Sequence, residues 1–353
     1  MEDLDDFLEF INIAEAAHIK IPKRYIRDHS NPFEFFYEEA FKKRFKFTKE
    51  TIMYYILPII ADNLAKTSNR GLPVPPVLQL LMALRFYATG NYQAVTGDLR
   101  DFSQPTVCRC IAAVSIAFAE KLHEYVQFPK TLKDQQKNIR KFYEIAKFPN
   151  LAACIDGTLI KIINPDKKIG EIFRSRKGSF SLNILAATGP RGEILYIDVR
   201  HPGSTHDSTC FDRSALKLFF MENRIKGLLL GDNRYSCQPY LLTPVLRPLN
   251  QAERNYNKSH KKTRNLIERT FGRWKRKFSC LKRGLLNKLD TSIAIICATA
   301  VLWNLHIHIN CPNENVFIDE EEPENAIYLD DDPPRNMNGL DYRLRFIIRH
   351  FLR

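Results

Sequence analysis

No Cys-x-x-Cys pair occurs in these 353 residues, and the eight cysteines form no spaced quartet that reads as a zinc site. Scattered thiols in a chain of this length fit a reducing compartment better than a disulfide framework. The opening MEDLDDFLEF lacks the basic-then-apolar order of a signal peptide. Long apolar runs are missing too: the longest, Ser292 to Leu305, covers about 14 residues, whereas a membrane helix needs about 20. No internal repeat is apparent. These absences argue against a secreted, disulfide-stapled or membrane-spanning protein and lead us to expect a soluble intracellular one.

What the chain does have is positive charge. It carries 53 basic and 40 acidic residues, a formal net charge of +13, with a pI near 9.3. That balance suggests an anionic partner, nucleic acid first and a membrane surface second. The hydrophobic share of 44% is ordinary for a globular protein and allows a sizeable core.

The N-terminal part reads as helical. After the punctuated stretch Gly71 to Pro76, a helix is expected over Val77 to Ala88, ended by Thr89-Gly90. A short helix follows at Gln93 to Leu99. Ser103 then serves as an N-cap with Pro105 in the first turn, opening a helix to about Tyr125. This order over residues 77–125 resembles a helix-turn-helix, with Arg109 as the residue to test for DNA contact; three helices that merely pack together would read the same way.

From Leu151 the period changes. Leu151 to Ile155, Leu159 to Ile163, Ser181 to Ala187 and Ile194 to Val199 read as strands, with Gly189-Pro190-Arg191-Gly192 as a hairpin-like turn between the last two. A helix near Ser214 to Glu222, a buried strand Gly227 to Gly231, and helices near Thr263 to Leu281 and Ser292 to His308 complete an α/β domain with a mixed sheet. We therefore expect a helical region over 1–145, an α/β domain over 146–310, and an acidic, partly disordered tail over 311–353. The tail is Pro- and acid-rich around Asp319 to Asp332 and ends in a short basic-apolar helix from Tyr342.

Four acids stand out by their setting. Asp156 and Asp232 each follow a buried apolar run and are expected at strand ends; Asp207 follows the loop Pro202 to His206. Glu268 is the sole acid between Lys258 and Arg283, a stretch with eleven Lys or Arg. On its helix Ile267, Phe271, Trp274 and Phe278 form one apolar face, and Glu268 lies at the edge of that face. Arg264, Arg269 and Lys275 are expected to contact phosphates. Clustered carboxylates repel unless a cation holds them, and hard divalent cations such as Mg²⁺ or Mn²⁺ favour oxygen ligands. The plainer account is that each Asp caps a turn and Glu268 pairs with Arg264 on the helix surface. His206 either positions a ligand or satisfies a loop carbonyl.

Taken together, Asp156-Gly157-Thr158, Pro202-Gly203-Ser204 with Asp207, Leu229-Leu230-Gly231-Asp232 and Ile267-Glu268-Arg269-Thr270-Phe271 resemble the Harbinger (PIF) transposases and the nucleases domesticated from them. The resemblance runs from about residue 75 to 310, with 35 residues between Asp232 and Glu268. It implies a ribonuclease-H-like domain of the Asp-Asp-Glu superfamily, catalytic Asp156, Asp232 and Glu268, and a divalent metal held by these with Asp207. It also implies cleavage of double-stranded DNA, location in nucleus and cytoplasm, and a Myb- or SANT-like partner, and it leaves room for an oligomer. A silent DNA-binding protein, a protein-interaction scaffold and an intact transposase remain the alternatives.

Overall fold

The computed structural model describes residues 31–65, 73–92, 95, 102–166, 168–310 and 336–352. The expected helix at Gln93–Leu99, apart from buried Val95, and the acidic stretch of the tail lie outside these residues. The chain divides into two units, Met1–Arg85 with Tyr92–Val114, and Phe86–Asn91 with Ser115–Arg353.

The described part of the first unit is helical. Asn31 accepts the Phe33 N–H at 3.1 Å and so starts the helix Pro32–Phe35. Helix Glu38–Phe45 follows, then a π-helical segment Thr51–Ile56 that runs into helix Leu57–Leu64. The Phe41 and Phe45 rings pack tilted with centroids 4.6 Å apart, and with Ile52, Ile56 and Ile60 they are fully buried. Helices Pro76–Thr89 and Gln104–Glu120 are shared between the units. The second stops at Glu120, and a separate turn, Leu122–Tyr125, occupies the rest of the expected span.

The second unit is built on a five-stranded sheet of order β3-β2-β1-β4-β5: β1 (Leu151–Lys161), β2 (Ser181–Thr188), β3 (Ile194–Pro202), β4 (Leu228–Leu230) and β5 (Leu241–Leu242). β1, β2 and β3 are mutually antiparallel, while β1-β4 and β4-β5 are parallel. The sheet is thus mixed, as its sequence pattern suggests. β2 is buried at every position because both faces of the sheet are covered. On one face Ala153, Ile155, Leu185 and Ala187 pack with Phe211, Leu216 and Phe220 from helices Asp207–Asp212 and Ala215–Met221. The other face carries the 27-residue helix Gln251–Lys277, whose Thr263 carbonyl accepts the Cys154 thiol at 3.5 Å.

Two expectations need correcting. Asp156 does not end its strand: Asp156, Gly157 and Thr158 pair with Ala186, Leu185 and Ile184, and β1 continues to Lys161. Asp-Gly usually marks a turn, but here glycine is extended and makes room for a neighbour across the sheet. The apolar helix near the C-terminus spans Leu289–Asn310, and its segment Leu289–Ile309 is long and apolar enough, by length and composition, to cross a membrane. It is nevertheless 72% buried inside the fold, and Asn304 ties it to β3 by exchanging two hydrogen bonds with the Ile194 backbone. The helix Met337–Phe351 docks through Phe346, stacked on Phe148 at 5.6 Å, and through Arg343, which donates to the Thr243 and Pro244 carbonyls.

Candidate active site

Strand alternation decides which acids meet. Along β1, Cys154 and Asp156 face the long helix, and Ala153 and Ile155 face the core of short helices. Asp156 is buried. Its Oδ1 accepts the Gly157 N–H at 2.8 Å, and its Oδ2 lies 3.7 Å from Arg264 Nη1. Arg264 Nη2 donates to Glu268 Oε1 at 2.6 Å, one helical turn further on. Asp232 stands just beyond β4, which is paired in parallel with β1; its Oδ1 accepts the Arg234 N–H at 3.0 Å and its Oδ2 lies 3.3 Å from Arg234 Nε. Asp156 and Glu268 therefore meet at the Arg264 guanidinium, while Asp232 is held by Arg234.

The electrostatics agree with that arrangement. Burial, and then the charge of Asp232, push the Asp156 carboxyl well up, against the pull of Arg264. Burial also raises Asp232, with Arg234 and Arg264 opposing it. For Arg264, burial works against the charged form, and the carboxylates of Asp156, Glu268 and Asp232 outweigh it. The expectation that Arg264 is a phosphate ligand is corrected: its guanidinium is turned inward, the cation among the acids.

Asp207 belongs to the other side of β1. A Cβ placed on Gly157 would overlap Asp207 Oδ1 and stand 2.5 Å from its Cγ. The Asp207 carboxylate accepts from Asn183 Nδ2 at 2.7 Å and from Arg234 Nη1 at 2.6 Å. Arg234 thus spans Asp207 and Asp232. Lys275 is also committed to the protein: its ammonium donates to Thr158 Oγ1 at 2.6 Å and to the Leu159 carbonyl at 2.9 Å, and burial lowers it to about 8. His206 satisfies no loop carbonyl in the structure; its Nδ1 accepts from Arg176 Nη2 at 2.6 Å.

Sequence reasoning did not single out Asn183 or Arg234. Asn183 had a signal, since it is the one amide in the otherwise apolar or small run Ser181 to Thr188. Arg234 had none beyond lying two residues after Asp232.

The donor set suits a hard divalent cation in kind, since it is all carboxylate oxygen. Burial raises both Asp156 and Asp232, and a bound cation would oppose that shift. As they stand, no three His, Cys, Asp or Glu side chains among the described residues are grouped closely enough to hold a metal ion. Glu268 is turned to Arg264 instead.

Residues 155–304, which hold most of the sheet and all four acids, match the family model described as DDE superfamily endonuclease. Over 274 residues the chain is 31% identical to "Putative nuclease HARBI1" of Homo sapiens, covering 76% of this chain and 78% of that protein. The Bos taurus protein of the same name is 30% identical over the same shares, and that of Xenopus laevis 29% over 255 residues. The chain belongs to this family of Harbinger-derived nucleases. No solved structure matches it.

Proposed function

We propose that the protein is a divalent-metal-dependent nuclease that hydrolyses phosphodiester bonds of double-stranded DNA. The observation that carries this reading is the convergence of Asp156 and Glu268 on Arg264, with Asp232 beside them. Asp156 and Asp232 would hold the cation, and Glu268 would complete the set by exchanging its bond to Arg264 for the cation. A divalent cation there would supply Lewis acidity and a more acidic bound water. The chain's own residues do the rest. Asp207, Asn183 and Arg234 hold the frame of Asp232, and burial of Asp156 keeps bulk water from competing. Exposed Lys258, Lys261, Lys262 and Arg276 on the long helix are placed to neutralise backbone phosphates.

The strand order, antiparallel on one side of β1 and parallel on the other, supports the ribonuclease-H-like reading of the domain. The helical region at 77–125 is proposed as a helix-turn-helix-like DNA contact through exposed Arg109. Nuclear action with a Myb- or SANT-like partner rests on the family resemblance.

The test is cleavage of duplex DNA with Mg²⁺ or Mn²⁺. Asp156→Asn and Glu268→Gln are expected to abolish it while the circular dichroism melt keeps its cooperative transition. Wild-type cleavage by both variants would overturn the site assignment. One observation favours a second reading, DNA binding without cutting: the Arg264–Glu268 bond keeps Glu268 from the other acids. Salt-sensitive binding with no cleavage in either metal would select it.

A further inference from the structure

Beside the carboxylates, on the Gly157 and Asp207 side, lies a cavity of about 430 Å³. Its basic lining residues are Arg176, Lys177, His206, Arg234 and Lys275, and Asp207 is its one acid. That acid is already engaged by Arg234 and Asn183. The cavity therefore keeps a surplus of positive charge, gathered from three separate segments of chain. Like charges brought together at a partly enclosed site cost energy, and an anion relieves that cost.

The donors are held in place before any ligand arrives. An ammonium has three protons to give. Lys275 spends two, on Thr158 Oγ1 and the Leu159 carbonyl, which fixes its position and leaves one. Burial, and then the charge of Lys177, lower this lysine to about 8. Guanidinium has no acceptor, so the 2.6 Å contact from Arg176 Nη2 makes His206 Nδ1 the acceptor and leaves the ring proton on Nε2. Arg176 thereby sets the His206 tautomer, and the ring offers an N–H donor. Lys177 is exposed on the same turn, which Gly178 shapes with φ +76 and an N–H donated to the Ser175 carbonyl.

We infer that this pocket is a subsite for one phosphate of the DNA strand that lies across the carboxylates, contacted by Lys177, Lys275 and His206 Nε2–H, with Arg176 as the residue that orients His206. The inference rests on the nuclease reading for its ligand, because Gly157 and Asp207 line the pocket and also border the acids. Lys275 was expected from sequence as a phosphate contact; the pocket adds Arg176 and Lys177 from the connection between β1 and β2, and His206 from the loop after β3.

The experiment is fluorescence anisotropy of a labelled DNA duplex with the full chain, in EDTA, over a series of KCl concentrations. Each phosphate contact by a cation adds about 0.9 to the slope of log affinity against log salt. Lys177→Gln is expected to reduce the slope by about that much, so that over a fourfold rise in salt it loses about 3.5-fold less affinity than wild type. His206→Phe is expected to weaken binding with the slope unchanged, since a neutral donor releases no counterion. Arg176→Gln is expected to reproduce the His206 loss, and combining it with His206→Phe adds no further loss of the hydrogen bond. Lys137→Gln, exposed on the helix Leu132–Ala146, keeps the wild-type slope.

Unchanged slope and affinity in Lys177→Gln and His206→Phe, with wild-type cleavage intact, would overturn the subsite alone. Wild type that binds with the expected slopes but never cuts would overturn the nuclease reading and leave the subsite standing. Calorimetric binding of inorganic phosphate that Lys177→Gln abolishes, with DNA slopes unaffected, would overturn the assignment to DNA.

Discussion

Replacing Gly157 by alanine isolates one contact on which the frame of the site depends. The glycine is extended, so alanine meets no backbone strain and should by itself stabilise the strand by roughly 0.5–1 kcal/mol. Its methyl group, however, would overlap Asp207 Oδ1, stand 2.5 Å from Asp207 Cγ and 3.1 Å from Asn183 Oδ1. Carbon atoms pack at about 3.5 Å or more, so Asp207 must retreat by about 1 Å. The bonds from Asn183 at 2.7 Å and Arg234 at 2.6 Å then stretch beyond hydrogen-bonding range. Arg234 is partly exposed and can follow; Asn183 is buried in β2 and cannot. Losing one hydrogen bond to a buried charge costs about 1.5–3 kcal/mol, and overpacking adds about 1–3 kcal/mol. After subtracting the backbone gain, the net loss is about 1.5–5.5 kcal/mol. Urea unfolding followed by tryptophan fluorescence reads this directly, because both tryptophans, Trp274 and Trp303, lie in the second unit. The decisive comparison is Gly157→Ala made in an Asp207→Ala background. There the methyl group has space, and the same change should stabilise by a few tenths to about 1 kcal/mol. Equal destabilisation in both backgrounds would refute the argument.

Two further predictions concern the frame of the domain. His260 is buried with Nε2 on the Leu242 carbonyl at 3.2 Å, and burial lowers it to about 3. Its folded value lies below its unfolded one, so the unfolded chain binds more protons in acid. The stability is whole above about pH 6.5 and is lost as pH falls toward 3, by about 2 kcal/mol at pH 5 relative to pH 8. In urea melts at the two pH values, His260→Gln should remove that much of the wild-type difference; an unchanged difference refutes it. Asn304 accepts from Ile194 N–H at 2.8 Å and donates to the carbonyls of Ile194 and Tyr125 at 2.7 and 2.8 Å. Asn304→Ala strands three backbone groups and should cost about 2–4 kcal/mol in the same urea assay; a loss below about 0.5 kcal/mol would refute that.

The strands were legible because apolar runs bounded by turn residues leave few other readings. The position of Asp156 within its strand was not, since Asp-Gly is a turn signal whose meaning changes once Leu185 pairs with Gly157. The long helix begins twelve residues before the expected Thr263, at Gln251. Residues 251–262 are too polar to show a periodic apolar face, yet Ala252, Tyr256 and His260 are buried at helical spacing. Asn250 caps that start by accepting the Glu253 N–H, and Glu253 in turn accepts from Leu249. The four acids were visible one by one; their division between the two faces of β1 follows from register, which no single segment carries. The inward turn of Arg264 was legible only as a helix-surface pair with Glu268.

The acids come from the middle of β1, the loop after β4 and the long helix, so residues 156 and 268 must both be in place before any of the site exists. Contacts so distant in sequence form late in folding. A chain still being synthesised, with residue 268 not yet made, therefore lacks the assembled set of acids. On the proposed nuclease reading, topology alone would then act as a safeguard, withholding cleavage until the chain is whole.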